Sequence, residues 1–151
     1  MEHGIYKRQI IMFIVMVIVG MLFNPMNILA NQVTDIYVSL TLFYGGLLMA
    51  SNMIWAHEIV HYLSMGHFNL SVFSFGIVLS ISISILLLRK QLFVDDKQWL
   101  KRMIPHHSTA LTTTNQLIQS DNIQKNPVLY RLAKDIIYNQ EQEIKLMKSM
   151  L

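Results

Sequence analysis

Apolar residues run almost unbroken through three stretches of this 151-residue chain, residues 10–30, 37–60 and 68–88. A hydrocarbon layer of ~30 Å is crossed by about 20 helical residues at ~1.5 Å each, so each stretch has the length of a membrane span. Asn24, Pro25 and Asn27 interrupt the first of them near its end. Beyond residue 88 the pattern changes. Apolar positions now recur at intervals of three and four, as Trp99, Met103, Ala110, Leu111, Leu117 and Ile118, which is the mark of a helix with one buried face. Residues 120–126 break that rhythm. Pro127, suited to a first helical position, then opens a second such helix through Leu129, Leu132, Ile136, Ile144, Met147 and Leu151. The expected fold is all-α: a membrane domain over residues 1–90 with three transmembrane helices, then an antiparallel helical hairpin over residues 91–151.

Charge sharpens this division. Between Gln9 and Leu88 only Asp35 and Glu58 carry a formal charge, whereas ten of the twelve Lys and Arg and six of the nine Asp and Glu lie from Arg89 onward. Soluble domains carry about a quarter of their residues charged, so the first region needs lipid and the second faces water. Lys7 and Arg8 precede the first apolar stretch, and Arg89, Lys90, Lys97, Lys101 and Arg102 follow the last. The larger basic cluster predicts a multi-pass protein with its C-terminal hairpin in the cytoplasm. These residues read as membrane anchors, and no nucleic-acid partner is expected. A secretory signal, the competing reading of the first stretch, lacks a small-x-small cleavage site before Asn31. Two helices in about sixty residues cannot close a core alone, so the hairpin is expected to form a homo-oligomer, as a four-helix bundle.

The chain has no cysteine, which removes disulfides, thiolate metal sites and thiol nucleophiles together. Candidate chemistry therefore falls to histidine, carboxylate and the eleven methionines. In AHEIVHYLSMGH, residues 56–67, the side chains of His57, Glu58 and His61 spell H-E-x-x-H, which offers two imidazoles to zinc from one helix face with the glutamate as general base. The stretch resembles the zinc helix of site-2 proteases, intramembrane metallopeptidases. In that family a later membrane helix adds an aspartate ligand, but residues 68–88 contain no Asp or Glu. The same helix carries Met49, Met53, His57, His61 and Met65 at a spacing of four. Residues so spaced are neighbours, and this stripe of sulfur and imidazole suits a soft ion such as copper(I).

A longer pattern lies in the second half. KRMIPHHSTAL, from Lys101, and LAKDIIYNQEQEIKLMKSML, from Leu132, resemble the two-part signature of the domain of unknown function 305 family. The resemblance covers roughly residues 91–151 and implies a ferritin-like helical domain, with copper handling attributed to some members. Here Thr113 stands where relatives often carry a methionine after the histidine pair. A turn near Ile123 would set His107 opposite Gln140 and Met103 opposite Glu143 and Ile144.

The expectation is an integral membrane metal-binding protein, for copper storage or hand-over, without catalysis. His106, His107 and Met103 are the primary candidate ligands, joined by Glu143 and Met147 from the facing helix. His57 and His61 form an accessory or separate site. Three crossings would leave His57, His61 and His67 on one side of the bilayer and His106 and His107 on the other. The alternatives are an intramembrane zinc peptidase using His57, Glu58 and His61, with zinc as its metal, and a membrane interaction module in which both histidine groups are structural.

Overall fold

The computed structural model describes residues 2–151, and the side chains of all of these except residues 2–6, 8 and 124. Arg8, read above as part of the basic N-terminal end, has its side chain outside the described set. The described chain is helical, with no strand among the described residues. It forms two compact units, one of residues up to Phe23 with Leu40–Val94, the other of Asn24–Ser39 with Asp95–Leu151. The membrane domain and hairpin read from the sequence were divided at residue 90. The compact units differ from that division chiefly in the segment 24–39, which groups with the C-terminal helices.

The first unit contains α1 (Glu2–Leu22), α3 (Leu40–Met65) and α4 (Leu70–Ser82), the last continuing as a π-helical segment, Ile83–Arg89. The apolar run 10–30 is one hydrophobic stretch but not one helix. Asn24 adopts an extended conformation and its side chain accepts the amide of Asn27 at 3.1 Å, so a separate short helix, α2 (Pro25–Ile28), begins there with Pro25 in its first turn. Two stretches, Gln9–Ile28 and Leu70–Arg89, are long and apolar enough to cross a membrane, where three were expected. α3 has the length, at 26 residues, but Tyr44, Ser51, Asn52, His57, Glu58 and His61 dilute its apolar character.

α3 packs against both α1 and α4, and small residues let it do so. A Cβ on Gly46 would stand 2.8 Å from the Val17 carbonyl oxygen, so only glycine allows α1 to come this close. On the other side a Cβ on Gly76 of α4 would stand 3.0 Å from the Trp55 backbone nitrogen. Near that crossing the Ser80 hydroxyl donates to Ser51 Oγ at 3.0 Å in a buried contact. Backbones that approach over glycine and serine gain close dispersion contacts between the helices.

The second unit is built on α5 (Asp96–Ile118) and α6 (Pro127–Ser149), which pack against each other. Asp95 caps α5 by accepting the Gln98 amide at 2.8 Å, and Asn126 caps α6 by accepting that of Leu129 at 3.1 Å. Leu100, Ile104, Leu111, Ile144 and Met147 form the core, with Tyr37, Met103 and Ile137 packed on it. α5 continues helically through Pro105 although that residue donates no amide. The segment 24–39 lies along α5: Thr109 Oγ1 donates to the Met26 carbonyl at 3.2 Å, and Asn31 N–H donates to Ser108 Oγ at 2.7 Å. Part of the cover that two helices would otherwise take from a second copy is thus supplied within the chain.

Candidate functional site

The two acidic residues isolated in the apolar half are both buried, Asp35 to 2% and Glu58 to 6% exposure. A carboxylate away from water needs partners, and each has them. Ser108 Oγ donates to Asp35 Oδ2 at 2.5 Å, while Lys148 Nζ stands 2.5 Å from Asp35 Oδ1. Lys148 also lies 3.3 Å from Thr34 Oγ1. One carboxylate thereby ties the segment 24–39 to both α5 and α6. Nothing in sequence spacing announces this cluster; the available signal was the isolation of Asp35 among apolar residues.

Glu58 does a comparable job in the first unit. Its Oε2 accepts the backbone N–H of Asn69 at 3.1 Å, and the Asn69 side chain in turn accepts the Val72 amide at 3.2 Å as the cap of α4. The glutamate of H-E-x-x-H is therefore committed to the turn between α3 and α4. The histidines one residue before and three after it share another face, their rings stacked with centroids 6.2 Å apart. His61 Nδ1 lies 3.0 Å from the His67 carbonyl oxygen, and since that oxygen can only accept, Nδ1 is the donor of this contact.

On α5 the histidine pair divides its attention. His107 Nδ1 stands 2.9 Å from Glu143 Oε2 of α6, and Gln140 Nε2 donates to the same oxygen at 3.5 Å. His107, expected opposite Gln140, thus meets Glu143 one turn further along α6, and Gln140 bonds to the same carboxylate oxygen. The carboxylate oxygen lies off the line along which a Nδ1–H would point, so the two atoms are at contact distance without an aligned hydrogen bond. The His106 ring sits edge-on to that of His107 with centroids 5.8 Å apart. Partial burial, then the charges of His107 and Arg102, pull the His106 imidazole below its ordinary range. The Arg102 guanidinium, itself pulled down by burial, contacts the Met26 sulfur.

Met103 and Met147 stand apart from this polar group, packed in the core among Leu100, Ile104 and Ile144. No cluster of three or more His, Asp or Glu side chains within reach of one ion exists among the described residues. His57 and His61 belong to one compact unit and His106, His107 and Glu143 to the other.

Comparison with known proteins places these features in a family. Residues 88–151 match the family described as Domain of unknown function (DUF305). The whole chain is similar to "Uncharacterized protein L153" of Acanthamoeba polyphaga mimivirus, 36% identical over 146 residues, which cover 96% of this chain and 92% of the viral protein. No solved structure matches the chain. The match reaches from Leu88 through both capped helices and includes the histidine pair and the Glu143 that meets it, and on these grounds the chain belongs to the DUF305 family.

Proposed function

We propose that this is a multi-pass membrane protein whose C-terminal helical unit, an antiparallel hairpin of ferritin-like type, binds a metal ion through His107, Glu143 and His106. The observation that carries the metal reading is the pair His107 Nδ1 and Glu143 Oε2, 2.9 Å apart with no aligned hydrogen bond between them. Two such acceptors repel each other unless a proton or a cation lies between, and an ion ~2.0–2.2 Å from each would sit to one side of the line joining them. Gln140 donates to the same carboxylate oxygen and helps to orient it. Partial burial, then the charges of His107 and Arg102, hold His106 in its neutral, ligating form to lower pH than usual, and a rotation of its ring would bring a third donor.

Copper is the proposed ion and zinc the alternative, since imidazole and carboxylate donors serve copper(II) and zinc alike; Met103 and Met147, packed in the core, are not among the proposed ligands. Storage or hand-over at a membrane surface follows from a half-exposed site without a nucleophile. In purified protein, His106→Ala with His107→Ala should abolish the bound copper, and unchanged stoichiometry would remove the proposal. An interaction module in which the histidines are structural is the second reading, favoured by the packing of Met103 and Met147 in the core; thermal stability indifferent to every added metal would support it. Glu58, with one carboxylate oxygen bound to the Asn69 amide, is held in a structural contact that weighs against the peptidase reading.

Membrane insertion is supported by what the first unit shows outward. Ile10, Ile14, Ile18 and Leu22 of α1 and Phe75, Val78, Ile81 and Ile85 of α4 and its π-helical extension are all exposed, which water would penalise and lipid would not. The contacts within the second unit support a count of three crossings. The segment 24–39 and the helices from Asp95 on form one unit through the Asp35, Ser108 and Lys148 contacts, so both must lie on one side of the bilayer. An even number of crossings must separate them. If α4 crosses, α3 crosses too, its buried Ser51 and Glu58 shielded by the apolar helices on either side. Three spans, with residues 24–39 and the C-terminal unit in the cytoplasm by the charge rule, satisfy both constraints. Self-association through the hairpin remains part of the proposal.

A further inference from the structure

Where the π-helical segment ends, two residues without the freedom of glycine adopt left-handed backbone conformations, Gln91 at φ 48° and Phe93 at φ 59°. Such conformations persist only where neighbouring contacts impose them. Here the contacts come from the first turns of α3 and from the end of the π-helix. The buried Tyr44 donates its hydroxyl to the Leu92 carbonyl at 2.6 Å, Thr41 Oγ1 donates to Gln91 Oε1 at 2.8 Å, and Gln91 Nε2 donates to the Leu88 carbonyl at 2.5 Å. The turn these bonds hold leaves Phe93 the second most exposed large apolar side chain among the described residues, at 79%. Arg89 and Lys90, directly before it, are exposed as well. The stretch Leu70–Arg89, apolar enough to cross a membrane, ends at this point.

We propose that the turn 89–93 is an anchor for anionic phospholipid, in which Phe93 enters the interfacial layer and Arg89 and Lys90 contact headgroup phosphates. The inference rests on the membrane reading above and adds to it a lipid class and a named residue set. Its logic is that of amphipathic interfacial anchoring: an apolar ring held outward loses water on insertion, and two cations beside it meet the negative surface of the leaflet. A protein partner would equally cover a phenylalanine. The position of the turn at the end of an apolar stretch, and the paired cations beside it, favour lipid.

The chain has no cysteine of its own, so single substitutions can carry a spin label without interference. Full-length protein with Phe93→Cys or Ile14→Cys, Ile14 being exposed on α1, is reconstituted in nanodiscs of phosphatidylcholine and phosphatidylglycerol in equal parts. The label at 93 is expected to meet oxygen more often than an aqueous nickel reagent, at a depth shallower than the label at 14. Native mass spectrometry should show retained phosphatidylglycerol in excess of phosphatidylcholine, with the excess lost on Arg89→Gln with Lys90→Gln. A label at 14 in lipid with a label at 93 in water overturns the anchor while leaving the membrane reading intact. Both labels in water overturn the two together. Retained lipid without headgroup preference overturns the charge recognition, and a purified variant that keeps the preference overturns the assignment to Arg89 and Lys90.

Discussion

Asp35 and Lys148 form an ion pair at 2.5 Å, with Ser108 donating to the other carboxylate oxygen at the same distance. Through it, a residue in an apolar-flanked segment near the N-terminus is bonded to the last turn of the final helix. Removing one partner of a buried pair strands the other charge, which costs about 3–5 kcal/mol, whereas replacing both with apolar groups is often neutral. Lys148→Met should therefore lower the thermal midpoint of the C-terminal unit sharply, and Lys148→Met with Asp35→Leu should recover a large part of the loss. A single variant as stable as the parent would show that the pair does not hold the segment in place.

The glutamate of H-E-x-x-H is predicted to be structural. Glu58→Gln keeps an oxygen that can accept the Asn69 amide and should leave stability nearly unchanged, while Glu58→Leu strands that amide at a cost of about 1–3 kcal/mol. Denaturation in detergent distinguishes the two. A large and equal loss in both variants would point to a role for the charge itself.

Helix contact in the first unit is predicted to depend on Gly46. A larger residue there forces α1 away from α3, since the Val17 carbonyl stands 2.8 Å from the position of a Cβ. Overpacking of this kind costs about 1–3 kcal/mol. Gly46→Leu should lower the thermal midpoint, and Gly45→Leu, where nothing lies within 4 Å of a Cβ, should not.

His106 should titrate below 6.5, its ordinary value, because partial burial and the charges of His107 and Arg102 oppose its protonation. The unfolded chain then takes up the proton first. Its contribution to stability is whole above about 6.5 and is lost as pH falls through the lower folded-state value. Arg102→Gln removes one of the opposing charges, so the His106 midpoint followed by NMR should rise. A midpoint unmoved by that change would separate Arg102 from the histidine pair.

Much of the fold was legible because it is local. Pro127 announces the start of α6, where the structure adds the Asn126 cap, and the three-and-four rhythm marks the faces that meet. The count of spans was less legible: three apolar stretches were expected, and two are long and apolar enough to cross a membrane, since α3 carries polar residues such as Ser51 and Glu58 that are buried against its neighbours. Asp35 was visible only as an isolated charge, its partners Ser108 and Lys148 being far along the chain. His107 and Glu143 were both named from the sequence. Counting from a turn near Ile123 set Gln140 against His107, and both side chains reach the same Glu143 oxygen; helical periodicity alone does not say which of two polar groups one turn apart a histidine meets.

The sidedness of the chain tests the account most directly. Val33 is 84% and Met65 70% exposed, and in a chain without cysteine each can be given a single thiol, as can the C-terminal Leu151. In sealed vesicles an impermeant thiol reagent should label Val33→Cys and Leu151→Cys from one side and Met65→Cys only from the other. Labelling of Val33→Cys and Met65→Cys from the same side would contradict three crossings, and labelling of Val33→Cys and Leu151→Cys from opposite sides would contradict the shared compartment on which the Asp35 cluster depends.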